Sequence, residues 1–226
     1  LRELSDLLVH EPLIGKAGIG HTRWATHGLP SVSNAHPHTT GRVSIVHNGI
    51  IENFQELRDQ LAQQGYRAES DTDTEVVSMF VDCAIKSGKT PLEAVREAMA
   101  AVKGAYALCF LFEGEENFMI ASCLGSPLAV GYGDGEMFVG SDAIALAPLS
   151  NQITYLEDGD IAVLTRSSVR IEGKNADVVT RPIQTIRTDT TRIDKDGFKH
   201  FMEKEIYEQP RVLSLTLESY ISKDNT

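Results

Sequence analysis

His21-Thr22-Arg23-Trp24-Ala25-Thr26-His27-Gly28 gathers more polar chemistry than any other stretch of this chain. The Arg23 guanidinium is a planar fork of donors shaped for a carboxylate. Trp24 is the only tryptophan, and Thr26 and His27 add further hydrogen-bonding atoms. His36-Pro37-His38 and His47-Asn48-Gly49 follow, so that five of the seven histidines fall between positions 21 and 47. Taken singly, Arg23 reads as a surface ion-pairing residue and Trp24 as a core aromatic. Concentrated in one segment, ahead of Asn48-Gly49 and of the acids Asp71, Asp73 and Glu75, they read as a site for a polar ligand. Zinc is the rival reading, because histidine is a good ligand. However, the spacing 21, 27, 36, 38, 47 matches neither a finger nor an H-E-x-x-H pattern, and no cysteine lies nearby.

Composition narrows the function classes. A net charge of −11 over 226 residues, with no basic cluster, argues against a nucleic-acid surface. No apolar run approaches the ~20 residues of a membrane span, and Glu3 and Asp6 stand where a secretory signal would be basic and apolar. Cys83, Cys109 and Cys123 are odd in number and set in apolar surroundings, which fits reduced cytoplasmic thiols. The chain opens at Leu1 inside an amphipathic helical pattern with no cap before it, so an upstream segment is expected.

The elements that must position the polar residues follow from periodicity. Residues 1–10 predict the end of a helix, and Ala17-Gly18-Ile19-Gly20 a short buried strand delivering Arg23. Pro30 to Pro37 reads as loop. Val43–Val46 predicts a strand with Asn48-Gly49 at its exit, where Gly49 turns the chain; a plain hairpin turn is the competing reading of Asn-Gly. Asn53 is expected to cap a helix reaching Gln64, and Thr72-x-x-Glu75 and Thr90-Pro91-x-Glu93 read as capping boxes of two more helices. About seven strands follow between 106 and 171, spaced for antiparallel pairing. Strands, then helices, then strands imply α+β layers with sheet packed on sheet and helices outside. Residues 173–197 read as a polar meander, Phe198–Pro210 as a helix broken at Pro210, and a further helix starts near Arg211.

His21–Gly28, Asn34–His38, His47–Asn53, Thr72–Val76, Gly125-Ser126-Pro127-Leu128 and Lys204–Pro210 together closely resemble the glucosamine-6-phosphate synthase family, the glutamine–fructose-6-phosphate aminotransferases. The matching region is their class II glutamine amidotransferase domain. The resemblance implies an N-terminal-nucleophile hydrolase, a four-layer αββα sandwich of antiparallel sheets, here truncated at its N-terminus. Residues 1–188 would form the glutaminase domain, N-terminally incomplete. Residues 189–226 would be the linker and the start of an absent sugar-phosphate isomerase domain.

By the same resemblance, glutamine is hydrolysed to supply ammonia for converting fructose-6-phosphate to glucosamine-6-phosphate, without cofactor or metal, in a cytoplasmic homodimer. Arg23 would clamp the α-carboxylate of glutamine and Asp73 its α-ammonium. Thr26 and His27 would line the pocket, and Trp24 would gate the ammonia route. The Asn48 amide and the Gly49 N–H would form the oxyanion hole, with His36 and His47 supporting them. The attacking group in that family is an N-terminal cysteine, whereas position 1 here is leucine; the 226 residues alone are therefore expected to be inactive. The purine-pathway amidophosphoribosyltransferases share the class, with other residues expected at Arg23-Trp24 and Lys204. A glutamine-binding module that has lost its nucleophile is the non-enzymatic alternative.

Overall fold

The computed structural model describes residues 2–23, 27–186 and 195–221. These fall in two compact units, Leu1–Ile186 and Arg187–Thr226. Among the described residues, the first unit carries helices α1 (Arg2–His10), α2 (Phe54–Gln63), α3 (Asp73–Lys86), α4 (Pro91–Ala101) and α5 (Ala143–Leu146). Its strands are β1 (His38–Thr40), β2 (Val43–Ile51), β3 (Gly104–Phe112), β4 (Met119–Leu124), β5 (Ala129–Tyr132), β6 (Met137–Gly140), β7 (Gln152–Tyr155), β8 (Ile161–Leu164), β9 (Val169–Glu172), β10 (Val178–Val179) and β11 (Gln184–Thr185). All pair antiparallel into two sheets, of order β1-β2-β3-β4-β8-β9-β10 and β11-β7-β5-β6.

Alternation along β3 and β4 separates two cores, because successive side chains of a strand face opposite ways. Tyr106, Leu108, Phe110 and Ile120 join Val76, Val77, Val95 and Ala98 in the core beneath α2, α3 and α4. Ala107, Ala121 and Cys123 point the other way, where they meet Leu128 and, on the second sheet, Val130. Small residues on this side let the sheets approach. The short α5 covers the far face of the second sheet through Ala143 and Leu146. The αββα arrangement read from the sequence is therefore present, with one outer layer reduced to a four-residue helix.

Several local expectations are corrected. Ala17–Gly20 is not a strand: the segment is irregular and mostly exposed, and open space lies where a Cβ on Gly18 or Gly20 would sit. The strand containing Val43–Val46 does not end before Asn48-Gly49 but runs through both to Ile51, paired with β3 throughout, so neither a turn nor a strand exit lies there. Asn53 stands at the cap position of α2 without capping it; its amide instead bonds Ala101 O at 2.9 Å and Lys103 N at 2.8 Å, tying α2 to the entry of β3.

Thr72 caps α3 by accepting from Glu75 N, but the Glu75 carboxylate turns to Glu69 N and Ser70 N at 2.8 and 2.7 Å. Only Thr90–Glu93 forms the complete box. The meander at 173–197 contains β10 and β11, while 187–194 lies outside the described residues.

In the second unit, Pro210 does not break the helix: α6 runs from Phe201 to Ile221 with the proline inside. Proline removes one donor, and the carbonyl it would have served belongs to Ile206. Ile206 and Pro210 are both exposed, so water can take that bond.

Candidate active site

Three segments converge on a pocket of about 320 Å³: the 21–37 loop, the second half of β2, and the N-terminus of α3. Their meeting follows from the fold. β2 is central enough to bury Val43, Ile45 and His47 on the helix side, and it carries Asn48 and Gly49 onward to the pocket. Gly49 has φ +126°, and a Cβ there would lie 2.1 Å from Ala105 O on β3. Only glycine allows this backbone inside the strand.

The α3 terminus is set by its neighbours. Arg58 of α2 donates to Ser70 O and Thr72 O at 3.1 and 3.3 Å, and Glu75 holds the 69–70 backbone. Asp73, at the first turn of α3, is buried, and its Oδ2 accepts from Ile51 N at 2.8 Å, fastening the helix to β2. Its Oδ1 is less well met: Thr74 Oγ1 lies at 3.5 Å and His27 Nδ1 at 3.8 Å. Asp71 instead holds the loop, through Asn34 at 3.0 and 3.3 Å.

The loop side is arranged around Arg23, a non-glycine residue at φ +44°. Its guanidinium donates to the carbonyls of His27, Gly28 and Leu29 at 3.0 to 3.2 Å, so the positive charge sits in a ring of backbone oxygens at the pocket wall. Among the described residues no carboxylate side chain pairs with it, and the bonds to the loop come from Nη1 and Nη2 and leave Nε unused. The backbone N–H of Arg23 donates to His21 Nδ1 at 2.8 Å, and His21 Nε2 meets Asn48 Oδ1 at 2.6 Å.

Behind these lies a histidine stack. His36 contacts His21 and His38 ring to ring, with centroids 4.4 and 5.0 Å apart. Thr74 Oγ1 meets His36 Nε2 at 3.1 Å and His47 Nδ1 at 2.9 Å. Burial pushes His36 down to about 3, with His21 adding to the effect, and His47 down to about 4, against the pull of Asp73. Burial lowers His38 as well. His36, His38 and His47 are therefore uncharged at neutral pH. Among the described residues, His27 Nδ1, His36 Nδ1 and His47 Nε2 have no hydrogen-bond partner.

The structure thus brings together Arg23, His27, His36, His47, Asn48, Gly49 and Asp73, all of them singled out in the sequence. Trp24 and Thr26 lie outside the described residues. Sequence reasoning missed what His21 and Thr74 do. The sequence assigns His21 no partner within the polar stretch, and Thr74 is an unmarked position inside Thr72-x-x-Glu75. Cys83, Cys109 and Cys123 do not line this pocket among the described residues. Cys109 and Cys123 are buried, which pushes their thiols up to about 12.

Comparison with known proteins agrees with this geometry. Residues 21–148 match the family described as glutamine amidotransferase domain. The glutamine–fructose-6-phosphate aminotransferase (isomerizing) of Brucella abortus biovar 1 (strain 9-941) is 54% identical over 221 residues, 98% of this chain and 36% of that protein. Its counterpart in Zymomonas mobilis subsp. mobilis (strain ATCC 31821 / ZM4 / CP4) is 50% identical over the same shares. The chain therefore spans about a third of the length of these curated relatives.

Among solved structures, the glutamine phosphoribosylpyrophosphate amidotransferase of B. subtilis is similar with a TM-score of 0.56 and 26% identity, over 70% of this chain and 35% of that one. The structure titled the allosteric regulatory enzyme of purine biosynthesis shares the fold at a TM-score of 0.53 and 24% identity, over 65% of this chain and 32% of that one. Family match, sheet order and pocket agree: the chain belongs to the glutamine amidotransferase domain family.

Proposed function

We propose that this chain is the glutamine-hydrolysing part of a glutamine–fructose-6-phosphate aminotransferase, cytoplasmic and homodimeric as a whole protein. The observation that carries the reading is the pocket in which a half-satisfied buried carboxylate, an arginine and an Asn-Gly pair face one another. Glutamine is a zwitterion with an amide at its far end. Asp73 Oδ1 takes the α-ammonium, and the free donors of Arg23 take the α-carboxylate. The Asn48 amide and the Gly49 N–H stabilise the oxyanion that forms when the side-chain amide is attacked. One such donor contributes about 3–4 kcal/mol in the transition state. Fixing both ends of the amino acid supplies the orientation.

His27 lines the pocket beside Asp73, and His36 and His47 form its uncharged floor; the resemblance gives Thr26 a share in glutamine binding and makes Trp24 a gate toward the ammonia route. The resemblance assigns the attacking thiol to an N-terminal cysteine. Ammonia then passes to fructose-6-phosphate in a sugar-phosphate isomerase domain into which 189–226 leads. The 54% identity to named aminotransferases favours this over the phosphoribosyl reading, whose support is the 26% identical structure.

The protein as its gene encodes it should form glucosamine-6-phosphate and one glutamate per turnover from glutamine and fructose-6-phosphate. It should release no pyrophosphate from phosphoribosyl pyrophosphate. Pyrophosphate release would replace this reading with the purine-pathway one. Glutamine binding without turnover of either substrate would leave a binding module.

A further inference from the structure

The chemistry assigned to Asn48 depends on which way its amide faces, since a flip about the last bond exchanges a donor for an acceptor. The neighbours of His21 decide this. His21 Nδ1 accepts the Arg23 backbone N–H at 2.8 Å, so that nitrogen carries no proton and the proton of the ring sits on Nε2. Nε2 lies 2.6 Å from the Asn48 side chain and must donate to it, so the atom facing His21 is the oxygen. The Asn48 NH2 is left facing away from His21, and among the described residues it has no protein partner. Both residues line the same pocket.

We propose that His21 is a positioning residue that holds the Asn48 amide with its NH2 toward the substrate oxygen. The chain of bonds runs from the Arg23 backbone through the imidazole to the amide. The Arg23 backbone N–H fixes His21, while its φ of +44° sets where the Arg23 side chain goes. An amide hydrogen-bonded in this sense needs no reorganisation as negative charge develops. The inference rests on the oxyanion role of Asn48 proposed above.

Replacing His21 with two side chains of equal reach and opposite hydrogen-bonding sense tests it. Glutamine can donate from the place of Nε2, whereas glutamate can only accept and would draw the Asn48 NH2 toward itself. Glutaminase kcat and KM are measured on the protein as its gene encodes it, for His21→Gln and His21→Glu. Both are repeated in an Asn48→Ala background. His21→Gln should stay within about threefold of wild-type kcat, and His21→Glu should lose at least about tenfold with KM for glutamine little changed. In the Asn48→Ala background the two should fall within about twofold of each other, because the coupling then has no target.

Equal kcat for His21→Gln and His21→Glu would overturn the inference, as would a difference that persists without Asn48. Normal kcat in Asn48→Ala alone would remove the oxyanion reading and this inference with it. A loss of about 10²-fold there, with both His21 variants at wild-type rate, would remove only the positioning role. Nitrogen NMR of the His21 ring supplies a readout independent of turnover: an Nδ1–H tautomer overturns the inference, and Nε2–H is the result expected.

Discussion

Glu172 and Asp73 are carboxylates buried to the same degree, with 1% and 2% exposure. Glu172 on β9 is saturated: Arg96 of α4 donates from Nε and Nη2 at 2.6 to 2.8 Å, and Arg170 adds Nη1 at 2.8 Å. Asp160 likewise meets Arg181 twice, at 2.8 and 2.9 Å. Among the described residues, Asp73 has one good bond, to a backbone N–H, and contacts of 3.5 Å or longer on its other oxygen. Among the described residues, three histidine nitrogens of the same pocket, on His27, His36 and His47, are unpartnered as well. A buried charge without full partners costs free energy. A fold that supplies two arginines to one carboxylate and leaves another half-met has left room for something at the second. That difference separates a fastening from a site.

The sharpest way to test the pocket half of this comparison is Asn48→Asp, which places an acceptor where charge develops. It should lower kcat at least about 10²-fold while KM for glutamine changes far less. Near-normal kcat by glutamate release would return Asn48 to an ordinary strand position.

Glu172→Gln addresses the fastening. Arg96 and Arg170 are 36% and 48% exposed at the side chain, so water recovers part of the loss. About 2 kcal/mol of unfolding free energy should go, with glutamine affinity unchanged. Denaturant melts and calorimetry together decide it, and a fall in affinity would merge the two regions.

Asp73→Asn should do the converse. Asparagine keeps an oxygen for Ile51 N, so stability should change by less than about 1 kcal/mol, while glutamine affinity drops about tenfold. A large loss of stability with affinity intact would make Asp73 a second fastening.

The smallest effect is on pH. His36 and His47 titrate in the fold at about 3 and about 4, below the ordinary 6.5. The unfolded chain therefore binds more protons between those values, and stability falls as pH drops from about 6.5 toward 4 and below. His47→Gln should flatten that slope in melts taken across the range, and Glu172→Gln should leave it in place.

Much of this was legible in the residues themselves. The capping box at Thr90–Glu93 and the seven strands between 106 and 171 formed where periodicity and turn chemistry put them, since those signals act over a few neighbouring residues. Arg23, Asn48, Gly49 and Asp73 were singled out because their types in that order resemble a known family. The failures are local signals overridden by distant partners. Asn-Gly reads as a turn until β3 pairs along its whole length, and Asn53 reads as a cap until Ala101 and Lys103 arrive beside it. Pro210 reads as a break, yet an exposed helix can carry it.

What the sequence alone determined is the inventory: the polar stretch, the strand-rich second half, the acidic balance, and the family to which they belong. Only the tertiary structure decided which acid does what. Asp71, Asp73 and Glu75 are indistinguishable by spacing near one helix start, yet one holds a loop, one faces the pocket and one ties down the segment ahead of the cap. The same holds for the His21 imidazole, whose proton is placed by the Arg23 backbone N–H and whose target lies 27 residues away. Spacing along a chain specifies the neighbours of a side chain within a turn or a pleat. The state of a buried polar group is set by every donor and acceptor around it, and those are gathered from across the fold.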